Sequence, residues 1–146
     1  MKKVMMIGKS GCGKTTLSQR LCGLQISYKK TQAVEVVGGS ILDTPGEYME
    51  RKGFYKALIV SAVETDAVLI LQACTDGQCS FSPGMGAMFG RPLVGVVTKT
   101  DLAASARQID QAETLLRLDG AEHVFRVGLG GSGPDETALL LDYLSR

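Results

Sequence analysis

The chain has one histidine, His123, and no C-x-x-C pair among its four cysteines, Cys12, Cys22, Cys74 and Cys79. A zinc site made from those side chains is not expected. The cysteines read instead as free thiols of a reducing compartment. Neither sign of charge is in excess: 16 Lys and Arg against 15 Asp and Glu leave a formal +1. That balance supplies no field to draw in nucleic acid or an anionic membrane. No apolar run approaches the roughly 18 residues of a membrane span. Met1-Lys2-Lys3 leads directly into an apolar strand, so no secretion leader is expected. There is no internal repeat and no linker. What is left is a single domain over residues 1–146, expected in the cytoplasm, without nucleic-acid or membrane partners. A chain of this length can bury a core without disulfides or metal staples.

Apolar patterning orders the elements. Val4-Met5-Met6-Ile7 reads as a buried strand, and Leu17 and Leu21 fall at helical spacing just after it. Residues 25–32 read as a polar loop. Residues 33–37 read as a strand that turns back at Gly38-Gly39 through 40–42 to Asp43. A helix is expected over 54–64 and strands over 67–71, 93–97 and 124–127. Helices are also expected over 104–118 and 135–144. Residues 75–90, with four glycines and Pro83, are not expected to form a regular helix. Strands alternating with helices imply an α/β three-layer fold, with a mostly parallel sheet of about six strands flanked by helices.

The strongest chemical signal is Gly8-Lys9-Ser10-Gly11-Cys12-Gly13-Lys14-Thr15, which fits G-x-x-x-x-G-K-[ST] between a strand and a helix. Its glycines let backbone N–H groups turn toward phosphate oxygens, and the helix N-terminus adds a positive dipole end. Lys14 would reach the β- and γ-phosphates, and the Thr15 hydroxyl would ligate Mg²⁺. Ser10, Gly11, Cys12, Gly13 and Thr16 complete the predicted phosphate contacts. Because Cys12 lies inside the loop, its alkylation is expected to block nucleotide.

Asp43-Thr44-Pro45-Gly46 is a D-x-x-G element at a strand end. Asp43 would reach Mg²⁺ through water, as a hard oxygen ligand does, and Gly46 would offer its amide near the γ-phosphate. An ordinary proline turn is the competing reading. Thr98-Lys99-Thr100-Asp101 matches [NT]-K-x-D. An ionised Asp101 can accept from guanine N1–H and the exocyclic amine together, and the Lys99 stem can cover the base. Helix capping is the competing role for Asp101. Thr31, placed just before the 33–37 strand, is preferred over Ser27 as the threonine that binds Mg²⁺ in the triphosphate state; an exposed hydroxyl is the alternative. After the strand ending at Val127, the backbone of Gly128 and Leu129 is the candidate for guanine O6. A flexible glycine-rich loop is the alternative there.

Three nucleotide motifs in order make the chain resemble Ras-like and Era-like GTPases. The segments Tyr28-Lys29-Lys30-Thr31-Gln32-Ala33-Val34-Glu35, Asp43-Thr44-Pro45-Gly46-Glu47-Tyr48 and Phe81-Ser82-Pro83-Gly84 narrow this further. They resemble the EutP/PduV family of bacterial microcompartment operons, nearer its propanediol-type branch. The resemblance implies GTP or GDP, with ATP possible, and Mg²⁺ as cofactors. It also implies a location in the cytoplasm or at a microcompartment, and a shell or cargo protein as partner. Residues 75–90 and the segments 25–37 and 43–56 are the candidate contact regions. An apolar patch formed by Phe81, Met85, Met88 and Phe89 would serve as such a surface; satellite core is the alternative for those four.

Glu47 follows Gly46 where Ras-type enzymes hold a water-orienting Gln. A carboxylate is repelled by the γ-phosphate and has no amide donor. Intrinsic hydrolysis is therefore expected to be slow, at or below roughly 10⁻⁴–10⁻³ s⁻¹. A phosphotransferase moving phosphate between ATP and acetate is the alternative activity, and a nucleotide-binding scaffold with vestigial hydrolysis a third. The base-reading Asp101 weighs against adenine.

Overall fold

The computed structural model describes residues 2–9, 12–14, 16–21, 41–43, 55–77, 85–128 and 135–145. Strand β1 is Val4–Ile7, and helix α1 follows it at 14 and over 16–21. Then come β2 (Ile41–Asp43), α2 (Tyr55–Ala62) and β3 (Ala67–Ala73). A 3₁₀ turn over Met85–Phe89 leads to β4 (Leu93–Thr98), and a second over Thr100–Leu102 leads to α3 (Ala106–Leu118). Strand β5 (His123–Arg126) and helix α4 (Thr137–Leu144) complete the order.

The described strands form one five-stranded sheet in the order β2-β1-β3-β4-β5, parallel throughout. The expected strand over 33–37 and its turn at 38–39 lie outside the described residues. Every residue of β1, β3 and β4 is buried, as strands covered on both faces must be. Alternate side chains feed two cores. Met5, Ile7, Val68, Ile70 and Val97 pack with Leu58 and Ala62 of α2 and with Ile109, Ala112 and Leu116 of α3. Val4, Met6, Leu69, Leu71, Val94 and Val96 pack with Leu17 and Leu21 of α1 and with Leu140, Leu141 and Leu144 of α4. The molecule thus has three layers, α2 and α3 on one face and α1 and α4 on the other. Leu17 and Leu21 are fully buried, so truncating either to alanine would cost about 2–5 kcal/mol and loosen the helix behind the Gly8–Lys14 loop.

Where the expected element ends shift, they do so by one or two residues, and three have a local reason. Helix α3 starts at Ala106 rather than 104 because Ser105 is extended (φ −159°, ψ 162°). Helix α4 starts at Thr137 rather than 135 because the Asp135 carboxylate accepts from the Thr137 N–H, at 3.1 Å, and turns the chain first. Strand β3 continues two residues past Leu71, its last two rungs pairing Gln72 with Val97 and Ala73 with Thr98. Within 75–90, Phe89 is 4% exposed and belongs to the core under α2 and α3, and Met88 packs against it. Those two side chains are satellite core rather than an exposed patch. Phe81 and the side chain of Met85 lie outside the described residues.

The chain reverses its direction of growth at β1, since β2 lies on one side of it and β3 on the other. In an open parallel sheet, a ligand crevice forms beyond the carboxyl ends of the strands at that reversal. The loop leaving β1 is Gly8–Lys14.

Candidate functional site

The Gly8–Lys14 loop is closed by its own backbone. Cys12 N–H donates to Lys9 O at 3.2 Å, and Leu17 N–H donates to Gly13 O at 2.9 Å, so the helix takes over at Gly13. Gly13 has φ +97°, a region that an L side chain rarely enters. At Gly8 the limit is space: a Cβ would stand 2.6 Å from Cys12 Sγ and 3.1 Å from the Leu71 carbonyl oxygen. Lys14 is 7% exposed, and its ammonium donates to Gly8 O at 3.0 Å and to Lys9 O at 3.4 Å. A buried cation is thereby held over a glycine loop at a helix N-terminus, an arrangement suited to oxyanions. Lys9, the other loop cation, pairs with Asp76 beyond β3 at 3.3 Å.

The Thr98–Asp101 segment abuts this loop. The buried Thr98 hydroxyl donates to Cys12 O at 2.6 Å, which joins the end of β4 to the phosphate loop. Lys99 adopts a left-handed conformation (φ 60°, ψ 33°), uncommon for a residue with a Cβ and sustained only by its surroundings. Three contacts sustain it. Cys74 N–H donates to Thr98 O at 3.0 Å, Cys74 Sγ–H donates to Lys99 O at 3.1 Å, and Thr100 N–H donates to Val127 O at 3.3 Å. The turn sends the chain into the 3₁₀ segment that carries Asp101. Gly13, Thr16, Thr98, Lys99, Asp101 and Leu102 line a pocket of about 150 Å³.

Five predicted residues, Gly13, Thr16, Thr98, Lys99 and Asp101, therefore meet at one opening. Cys12 and Lys14 stand behind it through the loop contacts just described. Gly128 directly follows Val127, whose carbonyl is bound by Thr100. Asp43 ends β2, in register with Met6 of β1. Ser10, Gly11, Thr15, Thr31, Gly46, Glu47 and Leu129 lie outside the described residues. Two participants were not foreseen in the sequence. Leu102 shares the pocket wall while remaining 63% exposed, and its position directly after Asp101 was the available signal. Cys74 acts through the β3–β4 pairing of Ala73 with Thr98, which no local motif records.

Burial holds both described thiols above the ordinary value of 9.0. At Cys12 the nearby Lys14 ammonium opposes burial without overcoming it. At Cys74 burial is assisted by the charge of Asp101. Neither thiol is set up as a nucleophile at neutral pH.

A family model described as "Ethanolamine utilisation - propanediol utilisation" (PduV-EutP) matches residues 1–143. The chain belongs to that family. Among its relatives, the propanediol utilization protein PduV of Citrobacter freundii is 41% identical over 97% of this chain and 94% of its own length. The protein named "Probable acetate kinase EutP" of Salmonella typhimurium strain LT2 is 33% identical over 99% of this chain and 90% of its own. Its namesake in Escherichia coli K12 is 31% identical over the same shares. This PduV-EutP chain thus stands nearer to the propanediol-type relative than to the two EutP proteins. Its fold is similar to that of Era, solved in complex with MgGDPNP and a segment of 16S ribosomal RNA. The TM-score is 0.63 at 18% identity, over 97% of this chain and 55% of that one. The likeness is one of fold: a parallel sheet with helices on both faces.

Proposed function

We propose that this protein binds a guanine nucleotide with Mg²⁺ and hydrolyses GTP slowly, as a switch within ethanolamine- or propanediol-type catabolism. The observation that carries the reading is the bond from Thr98 Oγ1 to Cys12 O. It draws a phosphate-type loop and a T-K-x-D segment into one pocket. Lys14 is assigned to the β- and γ-phosphates, Gly8–Thr16 to the phosphate cradle, and Thr98, Lys99, Asp101, Gly128 and Leu129 to the base. Thr15, Thr31 and Asp43 are assigned to Mg²⁺, which when bound would neutralise charge on the β- and γ-oxygens. The hard oxygens of these three side chains suit that ion. Gly46 and Glu47 would stand at the γ-phosphate, with Glu47 setting the slow rate.

In this reading the protein works in the cytoplasm or at a microcompartment. The segments 25–37 and 43–56 change order with the γ-phosphate and meet a shell or cargo protein. The test is calorimetric titration of nucleotide-free protein with Mg²⁺-GTP, GDP and ATP, repeated for Lys14→Ala and Asp101→Asn. Guanine binding abolished by the first change and selectively weakened by the second is the expected result. ATP binding equal to that of GTP would overturn the base assignment.

A second reading comes from the printed name of the EutP relatives: phosphate transfer between ATP and acetate. Formation of acetyl phosphate from Mg²⁺-ATP and acetate by the purified protein, abolished by Lys14→Ala, would establish it.

A further inference from the structure

The loop that leaves β5 carries Gly128, and both of its ends are tied to one pair of residues. Arg126 N–H donates to Glu136 Oε1 at 2.8 Å, and Glu136 N–H donates to Arg126 O at 2.6 Å. Residues ten apart are clasped by reciprocal bonds, one of them through a side chain. Next to it, the Asp135 carboxylate accepts from both the Thr137 N–H and the Thr137 hydroxyl, and stands 3.8 Å from the Arg20 guanidinium on α1. On the opposite side, Val127 N–H donates to Val97 O at 2.8 Å and Val127 O accepts from Thr100. The end of β5 is thus held from two directions, by the Thr98–Asp101 segment and by the start of α4. The Arg126 side chain is engaged elsewhere, with Asp110 and Glu113 of α3, so Glu136 acts on the backbone alone.

We propose that Glu136 is a positioning residue for base recognition. Its carboxylate, by accepting from Arg126 N–H, fixes the end of β5 and with it the Gly128 backbone relative to Asp101. This rests on the guanine assignment above. The ligand feature it governs is the O6 oxygen, which in that assignment meets backbone at Gly128, whereas Asp101 takes the neighbouring N1–H and 2-amino donors of the same base edge. A fixed amide discriminates for O6; a wandering one does not. The Glu136 N–H bond to Arg126 O uses no side chain, so it survives substitution and keeps residues 126 and 136 together.

The test compares GDP with 6-thioguanosine 5′-diphosphate, which keeps N1–H and the 2-amino group and replaces O6 by sulfur, a weaker acceptor, by calorimetry on the full chain with Mg²⁺. Glu136→Met keeps the length of the side chain and removes the acceptor; Glu136→Gln keeps an acceptor oxygen. Native protein is expected to prefer GDP by about tenfold, the worth of one hydrogen bond. Glu136→Met should lose most of that preference, with binding of the analogue little changed, and Glu136→Gln should restore it. A Glu136→Met protein that keeps the full preference overturns the inference, as does one that loses both ligands equally. Failure of Glu136→Gln to restore the preference overturns it too, and remains decisive if Glu136→Met does not fold. Native protein with no preference for GDP over ADP would instead overturn the guanine assignment itself.

Discussion

The two halves of the pocket are made in opposite ways. The phosphate half is one unbroken stretch, Gly8–Lys14, in which backbone does the shaping and side chains are excluded, by distance at Gly8 and by φ at Gly13. Its cation, Lys14, is buried against carbonyls of the same stretch. The base half is assembled from separated parts: a left-handed Lys99, a thiol from the end of β3, and a carbonyl from the end of β5. A half built of backbone recognises what all nucleotides share. In the proposed reading, the half assembled from distant strands recognises what distinguishes one base from another. Affinity is therefore expected to reside mainly in the first and selectivity in the second.

That division can be broken or sharpened in steps. Lys14→Ala should have the largest effect, about a hundredfold or more in affinity for GTP, GDP and ATP alike; a loss confined to guanine nucleotides would contradict the division. Asp101→Asn should cost roughly 10- to 100-fold for guanine nucleotides, because charge-assisted bonds are lost, while ATP titrates as before. Thr98→Val touches both halves at once. Valine keeps the shape but leaves the Cys12 carbonyl without its donor, and unfolding in urea without nucleotide should show a loss of about 1–3 kcal/mol. GTP and ATP affinities should fall together there, by less than the loss of guanine affinity in either preceding change.

The smallest effect concerns Cys12. Its thiol is 5% exposed and titrates above 9.0 because it is buried. The folded state favours the neutral thiol, so this contribution to stability is complete below about pH 9 and is lost as pH rises through the higher folded value. Alkylation followed by mass spectrometry should be slow at pH 7.5 and still accelerating above pH 9, where an exposed thiol levels off. Bound nucleotide should slow it further. Fast labelling at pH 7.5 would show that the loop opens far enough to release the thiol.

The contrast also explains what the sequence made legible. Gly8–Thr15 could be read directly because its chemistry depends on neighbours in the chain. The layer order followed from apolar runs such as 67–71 and 93–97, whose burial on both faces implies parallel pairing. Thr98-Lys99-Thr100-Asp101 was recognisable as a motif, but the Cys74 contact beneath it was not, since the two are joined only by the register of β3 against β4. The Arg126–Glu136 clasp was hidden for the same reason. Phe89 was ambiguous for a different reason: without helical or strand periodicity, an apolar side chain can be read as surface or as core. A 3₁₀ turn with i, i+3 spacing is too short to declare its buried face.

Leu102 has a practical consequence. It lines the pocket yet is 63% exposed, and the sequence contains no tryptophan. A single indole introduced by Leu102→Trp would be the molecule's sole long-wavelength emitter, seated at the lip of the pocket to which the base is assigned. Stacking of a purine against that ring would alter its emission directly. Occupancy, exchange and turnover of the pocket would then be readable in real time from one optical channel, with no label attached and no background to subtract.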